Sequence, residues 1–293
     1  MGLSSMFLFF FLIYASIQWF PRKGQAILMG IANSIGMIGM LLGGFCFDYV
    51  KKEMGGEIST CMSLILTGYI GVVLYSFLKK RAKNRTQLSK ALIWVLKDRH
   101  SWYFGFIAIG FYMATFVFAT TWSSSFLMEV YGLSKERIEG ISSLVFLGLG
   151  VGGPCIGYLS DRFSQRKAFV IILNAIALSS VGAVLYCSPM PIFLLGALFF
   201  ITGVCSSGYL LLYTLAIDYN HPRVKGVTVT FISALLFLGS LAIESQLEFP
   251  ILFFLLTVTG FLALLLKDSP PEMEHSKKML ERLLVRSERI SNS

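Results

Sequence analysis

Charged side chains are scarce in this sequence. They make up 14% of 293 residues, against 55% hydrophobic, and the mean hydropathy is +0.72. A soluble domain carries about 25% charge, so a water-facing globule is excluded. Strict apolar–polar alternation is also missing; the apolar stretches are continuous, which argues against a β-barrel. The five cysteines (Cys46, Cys61, Cys155, Cys187, Cys205) form an odd set without CxxC, and His100, His221 and His275 are far apart. Neither a disulfide scaffold nor a metal cluster follows from them. Cys46 and Cys61 could face each other across a short hairpin, with buried free thiols as the more ordinary alternative. There is no paired nucleophile and base, no metal-ligand spacing and no phosphate loop, so an enzyme and a resident cofactor are not expected.

What the sequence does have is apolar runs long enough to cross a bilayer, which takes about 20 residues each. Nine are read: 2–20, 24–47, 58–78, 101–123, 138–159, 167–187, 190–217, 224–245 and 248–266. Turn residues or charge separate them, as at Pro21-Arg22-Lys23, Tyr131-Gly132-Leu133-Ser134, Asp161 to Lys167, Ser188-Pro189 and His221 to Lys225. The expected class is an all-α polytopic membrane protein whose first partner is the lipid bilayer.

The net charge of +9 would point to nucleic acid in a soluble protein, but here it sits in short loops and sets topology instead. Of the 25 Lys and Arg, only Lys51, Lys52, Lys135 and Arg137 fall on one side of a nine-span arrangement; the other 21 fall on the opposite side. The positive-inside rule puts those 21 in the cytoplasm, with Met1 outside and the C-terminus inside. No nucleic-acid partner is expected. The first span lacks a basic leading region and an A-x-A-like site, so it reads as an uncleaved helix.

Four segments follow: 1–78 with three spans, a basic linker at 79–100, a six-span unit at 101–267, and a charged tail at 268–293. The linker carries an amphipathic stretch (Leu88, Leu92, Val95, Leu96) and reads as lying on the membrane surface.

Small residues let helix backbones approach closely in lipid. Gly36, Gly39, Gly43 and Gly44 mark the second span; Gly148, Gly150, Gly152, Gly153 and Gly157, with Pro154, mark the fifth. In the seventh, Thr202, Ser206, Tyr209 and Tyr213 recur at helical spacing and are expected to share one face. Packing inside the bundle, with hydroxyls bonded back to carbonyls one turn earlier, is an equal alternative for these side chains. No charged residue lies mid-span, so no proton-relay carboxylate can be assigned. Asn33 and Asn174 are the deep amides and read as helix–helix hydrogen bonds.

Residues 157–167, Gly-Tyr-Leu-Ser-Asp-Arg-Phe-Ser-Gln-Arg-Lys, resemble the signature loop G-x-x-x-D-R-x-G-R-[RK] of the major facilitator superfamily. Gly157, Asp161, Arg162 and Arg166 or Lys167 match, whereas Ser164 and Gln165 depart from the pattern. Residues 19–31, with Trp19-Phe20-Pro21 and then Arg22-Lys23-Gly24, resemble the junction between that family's fourth and fifth helices, and Tyr131 to Ser134 resembles an outer loop.

The resemblance implies a family-type helix bundle. Its spans correspond to family helices four to twelve, with the first three absent from this chain. It implies a secondary transporter of a small polar solute, together with a coupling ion, in a bacterial inner membrane. The rival reading is a transport-inactive remnant, and the 293-residue chain alone is expected to show no uptake in liposomes. The resemblance further implies a cavity lined by Tyr14, Tyr112, Thr115, Trp122, Thr202, Ser206, Tyr209 and Tyr213. It places Gly36, Gly39 and Gly43 against Gly148 and Gly152 across a domain interface. By the family's internal symmetry, Asp161 is expected beside Lys23, Gly24 and Gln25, and Arg162 or Arg166 beside Asp218. The alternative is a solvated loop whose charges only obey the positive-inside rule.

Overall fold

The computed structural model describes residues 24–38, 85–163, 165–220, 224–243 and 249–266. Every element in them is helical: α1 (Gln25–Ile38), α2 (Arg85–Lys97), α3 (Arg99–Phe116), α4 (Ser123–Tyr131), α5 (Lys135–Phe163), α6 (Arg166–Tyr186), α7 (Ile192–Ser206), α8 (Tyr209–Tyr219), α9 (Lys225–Ile243) and α10 (Phe249–Leu265). Four stretches among the described residues are long and apolar enough to cross a membrane: Arg99–Ala119, Lys135–Phe163, Arg166–Tyr186 and Ile192–Tyr219. Gln25–Ile38, Lys225–Leu236 and Phe253–Leu265 are apolar but shorter. The described part therefore supplies four full spans rather than nine. The expected spans 2–20 and 58–78 and the tail 268–293 lie outside the described residues.

The surface confirms the solvent. Phe193, Tyr186, Phe254, Phe261 and Ile35 are all exposed, an arrangement that is costly in water and neutral in hydrocarbon. The chain is an integral, multi-pass membrane protein.

Two boundaries differ from the sequence reading. The span expected at 101–123 runs on as helix to Tyr131, through a π-helical turn at Val117–Trp122. Gly132, at φ +59°, then caps α4 in the left-handed region, where its N–H meets the Met128 carbonyl. The span expected at 190–217 is interrupted at Ser207-Gly208. Bonds there run three residues apart (Gly208 to Cys205, Leu210 to Ser207, Leu211 to Gly208) and tighten the chain before α8 restarts.

Helix α5 is the spine. Gly148 and Gly152 share one stripe, and Gly153 and Gly157 share the next, because one residue turns the helix by about 100°. The first stripe faces α7: a Cβ on Gly148 would lie 2.2 Å from the Phe200 carbonyl oxygen, and one on Gly203 of α7 would lie 2.0 Å from that of Val145. The second stripe faces α1: a Cβ on Gly30 would lie 2.2 Å from the Gly153 oxygen, and one on Gly157 would lie 2.5 Å from that of Ala26. Gly148 and Gly152 are thus not the contacts to α1. Gly36 has nothing within 4 Å of a Cβ, and Gly39 and Gly43 lie outside the described residues. The α1–α5 contact belongs to Gly30, Gly153 and Gly157.

Pro154 sits inside α5 and cannot donate to Gly150, one turn earlier. The Ser34 hydroxyl of α1 donates to that Gly150 carbonyl instead. Asn174 of α6 donates to Thr259 of α10 at 3.0 Å. The main apolar core gathers Phe104, Phe111, Leu149, Leu173, Leu212 and Ile232 from five helices, and a second cluster surrounds Phe118 and Phe199 beside the π-helical turn.

Gly203→Ala must push a carbonyl aside and should cost about 1–3 kcal/mol, as overpacked cores do. Gly36→Ala meets nothing and should be neutral or gain up to about 1 kcal/mol of helix propensity. Thermal unfolding in detergent should rank Gly203→Ala well below wild type and Gly36→Ala at or above it.

Candidate functional site

The first cluster sits at the end of the bundle where α5 hands over to α6. Asp161 lies on the last turn of α5. Because Gly157 and Gly153 let α5 lie against α1, its carboxylate reaches the N-terminus of α1. Asp161 Oδ2 accepts from Gly24 N–H at 3.1 Å and Ile27 N–H at 3.4 Å. Gly24 holds φ at +103°, a conformation that side-chain-bearing residues rarely adopt, at the residue just before α1 begins. A carboxylate against exposed helix N–H groups is favoured by both hydrogen bonding and the helix dipole.

Arg166, at the start of α6, then bridges two acids. Its Nη2 donates to Asp161 Oδ1 at 2.7 Å and its Nη1 to Asp218 Oδ2 at 2.5 Å, on the last turn of α8. Asp161 and Arg166 side chains are only 11% exposed, so water screens their pairing weakly. The network joins four helices, α1, α5, α6 and α8. Of the two arginines considered for Asp218, Arg166 makes the contact, whereas Arg162 is exposed; Lys167 is half-buried. Lys23 lies outside the described residues, while Gln25 is buried beside this cluster. His100 and Tyr219 pack with tilted rings at 4.8 Å between centroids, which brings the start of α3 to the same end of the bundle.

The second cluster lies deeper. Tyr209 of α8 donates its hydroxyl to Asn33 Oδ1 of α1 at 2.7 Å. Tyr112 of α3 packs edge-on to Tyr209 at 6.3 Å and stacks on Phe116 at 4.4 Å. Tyr213 shares a hydrogen bond with Ser233 of α9 at 2.7 Å. Asn33 is 4% exposed, and among the described residues its Nδ2 has no hydrogen-bond partner. A buried amide donor left open costs about 1–3 kcal/mol unless something occupies it.

The remaining expected cavity residues are not gathered here. Thr202 pairs with Ser180 of α6 at 2.8 Å, and Ser206 bonds back to the Thr202 carbonyl at 2.8 Å. The partners of Thr202, Tyr209 and Tyr213 thus lie on α6, α1 and α9. Tyr209 and Tyr213 still pack edge-on to each other at 6.4 Å between ring centroids. Trp122 stacks on Phe126 at 4.3 Å, beside the π-helical turn. The Thr115 side chain and all of Tyr14 lie outside the described residues. Among the described residues, no three His, Cys, Asp or Glu could hold a metal ion.

The family model described as Major Facilitator Superfamily matches residues 1–244 and, in a second placement, 104–290. The chain is 29% identical over 108 residues to YaaU of Escherichia coli (strain K12), named as a putative metabolite transport protein; the match covers 37% of this chain and 24% of that one. It is 22% identical over 177 residues to the lysosomal dipeptide transporter MFSD1 of Danio rerio, covering 54% and 38%. It is 23% identical over 165 residues to the hexuronate transporter of Bacillus subtilis (strain 168), covering 51% and 39%. The aligned parts therefore span well under half of these relatives' own lengths. A match running along nearly the whole sequence, on an all-helical membrane bundle, places the chain in the Major Facilitator Superfamily, whose members are transport proteins rather than enzymes.

Proposed function

We propose that this chain serves secondary transport of a small polar solute by alternating access, with the α1–α5 contact as the moving interface. The observation that carries this reading is the network at one end of that contact. Gly30, Gly153 and Gly157 give a smooth backbone-to-backbone seam, and Asp161 fastens its end to the first N–H groups of α1. A seam without interlocking side chains can rock, and a charge-assisted clasp at one end gives it a closed state. Arg166 makes the clasp depend on Asp218, so four helices must agree for it to form.

The reading extends to the whole chain. Seven apolar helices among the described residues, together with the runs 2–20 and 58–78, support nine spans. The charge partition supports residues 79–100 and the tail on the cytoplasmic side, in a bacterial-type inner membrane. For the solute, the open Asn33 amide and the Tyr112–Tyr209 pair offer a hydrogen-bond donor and an aromatic wall. That combination suits a hydroxyl- or carbonyl-bearing molecule. The names of two relatives, a hexuronate and a dipeptide transporter, suggest solutes to try first.

Three measurements test this reading. Cysteine labelling in sealed vesicles should find position 135 outside and position 225 inside; both on one side would overturn the topology. Asp161→Asn keeps the shape but removes the charge, and should speed alkylation of a cysteine placed at the buried position 25, on the order of tenfold for a charged hydrogen bond of about 1.5–3 kcal/mol. An unchanged rate would mean the clasp holds nothing shut. In thermal-shift titrations of the purified chain, glucuronate or a neutral dipeptide should stabilise wild type saturably. Asn33→Leu should cancel the shift; a shift that survives would place the solute elsewhere.

A further inference from the structure

Helix α2 is not absorbed by the transport reading. It is 13 residues long, Arg85–Lys97, and ends directly at the apolar span α3. If it continued the line of α3 it would project about 20 Å beyond the bundle, at 1.5 Å per residue. It folds back instead. Val95 is fully buried with Val224, just before α9, and Phe231 in its second turn, and Ala91 and Trp94 pack on the same cluster. The corner is held on both sides. Asp98 accepts from Ser101 N–H at 3.1 Å and Ser101 Oγ at 2.9 Å, capping α3. Trp102 donates its indole N–H back to the Leu96 carbonyl at 3.0 Å, and its ring meets Phe231 edge-on at 5.0 Å. The helix is therefore pinned at the level where α3 and α9 begin, which is the boundary of the apolar layer.

Its opposite face is the anomaly. Leu92, Ile93 and Leu96, at i, i+1 and i+4, are 45%, 52% and 44% exposed. Val95 and Ala91 fill the inward face, and these three stay exposed among the described residues. The sequence flanking them is charged with one sign: positions 79–99 carry Lys79, Lys80, Arg81, Lys83, Arg85, Lys90, Lys97 and Arg99 against the single acid Asp98. Lys97 and Arg99 are exposed beside the apolar stripe. A helix with an apolar stripe, basic flanks, Trp94 at its inner edge and Trp102 of α3 beside it has the chemistry of an interfacial segment, and clusters of Lys and Arg at a bilayer surface select anionic headgroups.

We infer that α2 is an anionic-lipid binding element: Leu92, Ile93 and Leu96 insert into the headgroup–acyl boundary, and the surrounding basic residues hold phosphate-bearing anionic headgroups of that leaflet. Its occupant is lipid, not a protein partner, because an apolar stripe at the boundary already faces hydrocarbon and the basic excess complements an anionic leaflet. Asp98 and Trp102 pass this anchorage to α3 and α9.

The test reconstitutes the full chain, with its cysteines changed to Ser and Ile93→Cys carrying a nitroxide label, into nanodiscs of phosphatidylcholine alone or with phosphatidylglycerol. Collision with oxygen and with a water-soluble nickel complex reports the label's depth. With phosphatidylglycerol present, the label should collide with oxygen and hardly with nickel; in neutral lipid it should shift toward water. Lys90, Lys97 and Arg99 changed together to Gln should reduce the enrichment of phosphatidylglycerol over phosphatidylcholine retained by the purified protein, on the order of tenfold. Should that variant fail to stay monodisperse, the two lipid compositions compared on the unaltered charges decide alone. A label reached equally by nickel in both discs, a depth independent of lipid charge, or a label shielded from both reagents by protein would each overturn the inference.

Discussion

Two helix backbones meet at Gly30 and Gly153, and the rest of the described bundle is arranged around that meeting. Within lipid, burying apolar surface drives nothing, because the tails outside are as apolar as the side chains inside. Helices associate through close packing and the hydrogen bonds that closeness permits. The α1–α5 approach supplies both. It brings Ser34 to Gly150 and Asp161 to Gly24, two polar contacts along one seam, and sets Asn33 of α1 within reach of Tyr209 of α8. A single Cβ at Gly30 would collide with backbone, which cannot move aside as a flexible side chain can.

The same helix serves α7 on an adjacent stripe through Gly148, Gly152 and Gly203. Helix α5 thus holds two neighbours with glycines one residue out of phase. One contact ends in a charged clasp, the other in apolar packing around Val145, Leu195 and Phe199. This asymmetry separates a seam suited to movement from one suited to permanence, although both are written in the same residue type.

How much of this was legible in the sequence follows from the kind of signal each feature leaves. The helical class and the spans after residue 100 are written in long apolar runs, which hydropathy reads directly. The pairing of Asp161 with residues near Gly24, and of an arginine with Asp218, was reached through a matched loop, since two charged groups far apart in sequence carry no mark of their proximity. The glycine stripes were read as important but assigned to the wrong neighbours. Positions 152 and 153 differ by one step of about 100°, and composition does not say which way a helix is turned. The break between α7 and α8 was invisible for a related reason: periodicity assumes an unbroken helix, and nothing in Ser-Ser-Gly announces a three-residue bonding pattern. Asn33 was read as a structural amide, and one half of it is; its open donor could be seen only once Tyr209 had taken the carbonyl side.

Pro154 gives the seam a chemical memory of its partner. A proline in mid-helix strands the carbonyl one turn behind it, and in hydrocarbon a stranded carbonyl has no water to turn to. Here the missing donor is borrowed from the Ser34 hydroxyl of another helix. Helix α5 is therefore chemically incomplete by itself at Gly150, and α1 finishes it. Drawing the two apart obliges either a water molecule or a different hydroxyl to follow the gap inward, so wetting of the seam and its opening become one event.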